Sequence, residues 1–131
     1  MTKDEFIKKW IGTPWEDRAI GPDAIDCWGL VYRYYLDVLG IELSKPDDHE
    51  NIITGFDSEV LNGDWVEIYE PCEGLMFTAF VGDTPRHCGI MINSREVIHA
   101  YGGADINGSV VINRLSAIQR TFGKVRFFKK A

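Results

Sequence analysis

The sequence predicts an α+β fold in which N-terminal helices pack on a central antiparallel β-sheet. Two observations carry this. Up to Gly40 apolar residues recur at helical spacing, whereas from Trp65 onward they fall into short runs of strand length. Helices first and strands second, rather than in alternation, is the order that builds an antiparallel sheet covered by helices on one side. A chain of 131 residues fits a single domain, 1–131, able to bury a core without disulfide or metal staples.

The elements follow in order. Thr2 and Glu5 form a capping box that opens a short helix, with Phe6, Ile7, Trp10 and Ile11 on one face and Gly12 as its stop. Thr13-Pro14-Trp15 begins a loop rich in helix breakers that runs to Gly21-Pro22-Asp23. Asp26 then caps a second helix, on which Cys27, Leu30, Val31, Tyr34, Tyr35 and Val38 recur at helical period up to Gly40. Pro46-Asp47-Asp48 reads as a turn, and Ile52 to Leu61 as an irregular helix before Asn62-Gly63-Asp64. Strands are expected at Trp65–Tyr69, Leu75–Val81, Cys88–Ile92, Val97–Tyr101, Val110–Ile112 and Val125–Phe128, with a helical turn over Leu115–Thr121.

Composition excludes several classes. The net charge of −6, with no long block of one sign, disfavours nucleic-acid binding, which neutralises phosphates with Lys and Arg. Lys124, Arg126, Lys129 and Lys130 read as a solvated strand edge. No apolar run approaches the ~20 residues that span a bilayer, so no membrane insertion is expected. The start, Met1-Thr2-Lys3-Asp4-Glu5-Phe6, lacks the apolar core of a signal peptide, so the chain is expected to be made and first folded in a cytoplasm. Cys27, Cys72 and Cys88 are an odd count of 3 without an export signal, which points to free thiols.

The chemistry lies in Cys27, His87 and His99. A thiol attacks a carbonyl as its thiolate, and a free thiol has a pKa of ~8.5. A helix N-terminus contributes ~0.3–1 kcal/mol to the anion, less than one pKa unit. An imidazolium at ~4 Å in an effective dielectric of ~20 contributes ~4 kcal/mol before desolvation, nearer three units. A histidine must therefore reach Cys27 for it to be reactive. His87 and His99 serve one site only if they share a sheet face, which the intervening loop decides. With Asn93-Ser94-Arg95 as the loop, Ile92 pairs with Glu96, Gly89 with His99 and His87 with Tyr101, and the two rings meet diagonally on one face. A two-residue loop at Ser94-Arg95 would separate them. Cys88 points away from the histidine face in either register.

In this arrangement Cys27 is the nucleophile, His87 its base and then the acid for the leaving amine, and His99 the residue that orients His87. Backbone N–H groups at the helix start, including that of Cys27, are positioned to stabilise an oxyanion. The reaction needs no cofactor. Zinc is the rival use of His87, Cys88, His99, Cys72 and His49, but neither C-x-x-C nor H-E-x-x-H spacing is present, and no metal is expected.

At these residues the chain resembles the NlpC family of papain-like cysteine peptidases. The resemblance runs from Trp10-Ile11-Gly12-Thr13-Pro14-Trp15 through Asp26-Cys27-Trp28-Gly29-Leu30-Val31, and continues at His87-Cys88-Gly89-Ile90 and Val97-Ile98-His99-Ala100. It implies a papain-like NlpC-type core with Cys27, His87 and His99 as the catalytic set, and Trp15, Asp26 and Trp28 at the substrate or oxyanion position. It further implies a substrate in the stem peptides of bacterial peptidoglycan, often at γ-D-glutamyl–diaminopimelate bonds. Trp15 stands where many members have Tyr, Trp28 where many have Ser, and Gly74-Leu75 where Gly-Asp is commoner. The bulky residue after the Cys, the Gly-Thr-Pro-aromatic entry and the closing Arg120…Val125-Arg126-Phe127-Phe128 look most like members encoded with phage tail genes. That branch implies a tail-associated enzyme with tail-tip proteins as partners, made in the bacterial host cytoplasm and incorporated in a phage or prophage tail. The alternatives are a tail-assembly or hub component of the same fold with weak or no catalysis, and another thiol acyl-transfer enzyme such as an amidase or transferase.

Overall fold

The computed structural model describes residues 1–45, 55–56, 59–60, 63–103 and 106–131. Helix α1, Lys3–Trp10, opens with the expected box: the Glu5 amide donates to Thr2 Oγ1 at 3.2 Å and the Thr2 amide to Glu5 Oε1 at 2.9 Å. It buries Phe6 and Trp10, whereas Ile11 falls just past the last turn and is exposed. Helix α2, Cys27–Tyr34, widens into a π-helical turn over Tyr35–Leu39 before Gly40 ends it at a positive φ of 72°. The helical spacing gave no sign of that widening. It accompanies two consecutive tyrosines that both face inward, Tyr34 edge-on to Phe6 at 5.1 Å and Tyr35 against Trp65 at 5.2 Å. The turn expected at Pro46-Asp47-Asp48 lies outside the described residues, as does His49; the helix expected over Ile52 to Leu61 lies largely outside them.

Six strands follow: β1 Trp65–Ile68, β2 Met76–Val81, β3 Thr84–Met91, β4 Glu96–Gly103, β5 Ile106–Arg114 and, after helix α3 (Leu115–Phe122), β6 Lys124–Lys130. They form one sheet in the order β1-β6-β2-β3-β4-β5, every neighbouring pair antiparallel. The α+β architecture is therefore as expected, with β3, β4, β5 and β6 longer than the apolar runs alone marked.

Two expectations are corrected. Helices were expected on one side of the sheet, but α3 covers the other. Alternate residues point to opposite faces, so Met76, Phe80, Cys88, Ile90 and Ile98 pack with α1 and α2, while Phe77, Met91, Val97 and Phe127 pack with Leu115 and Ile118 of α3. The basic residues of β6 were expected along a solvated edge, but β6 lies inside the sheet between β1 and β2. Two of its charges are paired across to neighbours: the Arg126 guanidinium grips the Glu67 carboxylate, and Lys130 Nζ lies 3.3 Å from Glu59 Oε2. The edge strands are β1 and β5. The loop after α1 covers part of the β5 edge, with Gly12 and Trp15 amides donating to the Val110 and Gly108 carbonyls, each at 2.9 Å. That strap then leads straight into the start of α2.

Candidate active site

Cys27 is the first residue of α2, and its position is set from both sides. The Asp26 side chain caps the helix, Oδ1 accepting from the Gly29 amide at 2.5 Å, and Oδ2 accepts from the Arg18 amide in the preceding loop at 2.9 Å. Gly29 is required here because a Cβ would sit 2.3 Å from the Ala19 carbonyl oxygen of the same loop. The Asp-Cys-x-Gly spacing is thus a device for locking loop to helix, with the thiol at the tip.

The histidines come from β3 and β4. The connection between them has the expected three-residue register: Ile90 pairs with Ile98, Met91 with Val97, and the Ile92 amide donates to the Glu96 carbonyl at 3.0 Å. His87 and His99 therefore share the face that carries α3. Just before His87 the β2–β3 register shifts, so that Ala79 opposes His87 but Phe80 opposes Pro85, leaving Arg86 as the extra residue of a β-bulge. His87 Nε2 lies 2.7 Å from His99 Nδ1, and His99 Nε2 lies 2.7 Å from Asn113 Oδ1 on β5. Phe122 of α3 stacks on His87 at 5.7 Å, and Phe77 meets both rings edge-on. Gly89 makes the approach possible: a Cβ there would lie 2.8 Å from His99 Cβ and 2.7 Å from the Ile98 oxygen.

Cys27 reaches β3 edge-on. Its sulfur lies beside the side chains of both His87 and Cys88, neighbours that point to opposite faces, and beside the backbone amide of Cys88. A strand amide points in the plane of the sheet, toward β4 for Cys88 as for Ile92. The sulfur therefore occupies the position where β3–β4 pairing has stopped, beyond Ile90 and Ile98. From there it meets the histidine on one face and the thiol on the other.

The electrostatics follow. The thiol of Cys88 donating to the sulfur, together with the ring and charge of His87 and the Cys88 amide, outweighs burial and holds Cys27 well below the ordinary thiol range. Cys88 moves the other way, held well above it by its bond to Cys27 and by burial. Of the two sulfurs, Cys27 is the more acidic, since it alone has both the helix N-terminus and the imidazole beside it. Burial and then the Cys27 charge raise the Asp26 carboxyl to about 7, against the two amides that favour its ionised form. Burial, followed by the charge of His87, lowers His99 to about 4, so His99 is neutral at pH 7.

The structure thus brings Cys27, His87 and His99 together. Trp15 is half-buried, its indole packed over Gly102 of β4, next to Tyr101, whose ring centroid is 5.4 Å from that of His87. Two of the residues expected at substrate point inward instead. Trp28 is buried, its indole N–H donating to the Ser44 carbonyl at 2.7 Å, and Asp26 spends both oxygens on the cap. Trp28, the next helical residue, points about 100° away from Cys27, whereas Asp26, in extended backbone ahead of the helix, turns its side chain onto the cap. Sequence reasoning missed Cys88 and Asn113. Cys88 was excluded because it faces away from the histidines, which it does; the sulfur simply meets both sides of the strand. Asn113 lies opposite Val97, two residues beyond Val111, the partner of His99, so strand alternation carried past Ile112 would have placed it on the histidine face.

Residues 12–126 match the NlpC/P60 family, spanning both the Cys27 helix and the histidine strands. The chain belongs to the NlpC/P60 family. Among solved structures, the NlpC/p60 domain of the peptidoglycan hydrolase SagA is similar to this NlpC/P60 domain with a TM-score of 0.61 at 20% identity, over 87% of each chain. That likeness establishes the papain-like fold. No curated protein matches the chain. Among the described residues of this NlpC/P60 domain, no group of three or more His, Cys, Asp and Glu is gathered as for a metal ion.

Proposed function

We propose that the protein is a thiol-dependent peptidase that hydrolyses amide bonds in the stem peptides of peptidoglycan, acting as a cell-wall endopeptidase. The observation that carries this reading is the joining of the Cys27 sulfur to a buried histidine pair, His87 and His99. The Cys27 thiolate attacks the amide carbonyl, and the oxyanion is met by the Cys27 amide at the helix start. With Nε2 of His87 engaged by His99, Nδ1 is the nitrogen that faces the sulfur and protonates the departing amine. The thioester is then hydrolysed by a water that His87 deprotonates, returning the thiolate and releasing the new carboxylate.

Family membership and the peptidoglycan hydrolase among the similar structures support a cell-wall substrate. The γ-D-glutamyl–diaminopimelate bond is the proposed scissile bond. The tail-like motif variants around Trp15, Trp28 and Arg126 support a role in a phage or prophage tail, with tail-tip proteins as partners. The test is digestion of purified peptidoglycan with the wild type and with Cys27→Ala, followed by identification of the released peptides. New amine and carboxylate termini at one stem bond are expected from the wild type and none from the variant, whose circular dichroism stays unchanged. Equal release by both would end the reading.

A further inference from the structure

We propose that Asn113 is a positioning residue that sets the direction of proton donation along the histidine pair, and so fixes which nitrogen of His87 faces Cys27. This rests on the reading of Cys27 as nucleophile and His87 as its acid–base partner. The bonds run in a line: Asn113 Oδ1 to His99 Nε2 at 2.7 Å, then His99 Nδ1 to His87 Nε2 at 2.7 Å. An amide oxygen only accepts, so His99 Nε2 carries the proton. A neutral imidazole has one N–H, so His99 Nδ1 is bare and must accept. His87 Nε2 is then the donor, which leaves His87 Nδ1 to exchange its proton with the sulfur.

A donor at position 113 would reverse the line. His99 would then donate from Nδ1 into His87 Nε2, and a neutral His87 would already hold its proton on Nδ1. That ring could not take the thiol proton. His99 is only 2% exposed, so few groups can choose its tautomer for it. Asn113 itself sits exposed on the edge strand β5, where replacement disturbs no core packing. Without its amide, water reaches Nε2, and water donates as readily as it accepts.

The experiment reads the ring nitrogens by ¹⁵N NMR at pH 7 in the wild type, Asn113→Ala and Asn113→Asp, with peptidoglycan hydrolysis measured alongside. Asp preserves the acceptor and Ala removes it. We expect the wild type and Asn113→Asp to hold His99 as the Nε2–H tautomer, and Asn113→Ala to show a mixture. In Asn113→Ala kcat falls roughly tenfold or more with KM unchanged, the scale of one lost directed hydrogen bond, and Asn113→Asp restores it. A proton on His99 Nδ1 in the wild type, or an Asn113→Ala protein unchanged in both tautomer and kcat, would overturn the proposal. The NMR readout needs no substrate. A wild type with the expected tautomer that leaves peptidoglycan intact would sink the assigned substrate and support the tautomer assignment.

Discussion

Acidification should destabilise this protein through His99 by an amount that can be isolated. The ring is 2% exposed, and burial, then the charge of His87, lowers its pKa from the ordinary 6.5 to about 4, Asn113 opposing. An unfolded chain takes up a proton on this residue near pH 6.5, whereas the folded one resists until near pH 4. The contribution is therefore undiminished above pH 6.5, falls between 6.5 and about 4, and falls no further below. At ~1.36 kcal/mol per pKa unit the whole loss is ~3 kcal/mol. Asp26 works in the opposite sense, since a carboxyl raised from 3.8 to about 7 favours the folded state as it protonates over that range. A single pH curve mixes the two. Comparing the wild type with His99→Gln separates them, because Asp26 is common to both. Urea unfolding followed by circular dichroism at pH 7, 5.5 and 4 should show the wild type losing ~2–3 kcal/mol relative to the variant. Parallel losses in the two proteins would refute the claim that a neutral imidazole is trapped at this position.

Two further substitutions probe the supports of the site. Gly89→Ala places a Cβ 2.7 Å from the Ile98 oxygen and from Phe77 Cε2, and 2.8 Å from His99 Cβ, so it should cost ~1–3 kcal/mol in thermal unfolding and lower kcat by displacing the ring. Cys88→Ala removes the thiol that donates to the Cys27 sulfur, so the pH midpoint of Cys27 alkylation should rise, while staying below ~8.5 because His87 remains.

Much of this was legible in the residues. The capping box at Thr2, the cap at Asp26 and the three-residue Asn93-Ser94-Arg95 connection depend on local chemistry, and the structure has each of them. The connection mattered most, because it put both histidines on one face. The order of strands in the sheet was not legible: β6 inserts between β1 and β2, and nothing local to Arg126 says that Glu67 will stand beside it. The same holds for α3, whose apolar stripe announces burial but not on which face. At the site, alternation located His87 and His99 but hid Cys88, because a sulfur in the plane of the sheet escapes a rule that sorts side chains by face. Trp28 and Asp26 were drawn toward substrate by adjacency to Cys27, whereas the helix turn buries Trp28 and the capping bonds hold Asp26.

The most direct measurement is the rate of Cys27 alkylation by iodoacetamide across pH, followed by peptide mass mapping so that the exposed Cys72 is counted separately. A sulfur held as an anion by the Cys88 thiol and the His87 ring should react with a midpoint well below ~8.5, and the midpoint should climb in His87→Ala. A midpoint at or above ~8.5 in the wild type, unmoved by that substitution, would contradict the assignment of Cys27 as an activated nucleophile.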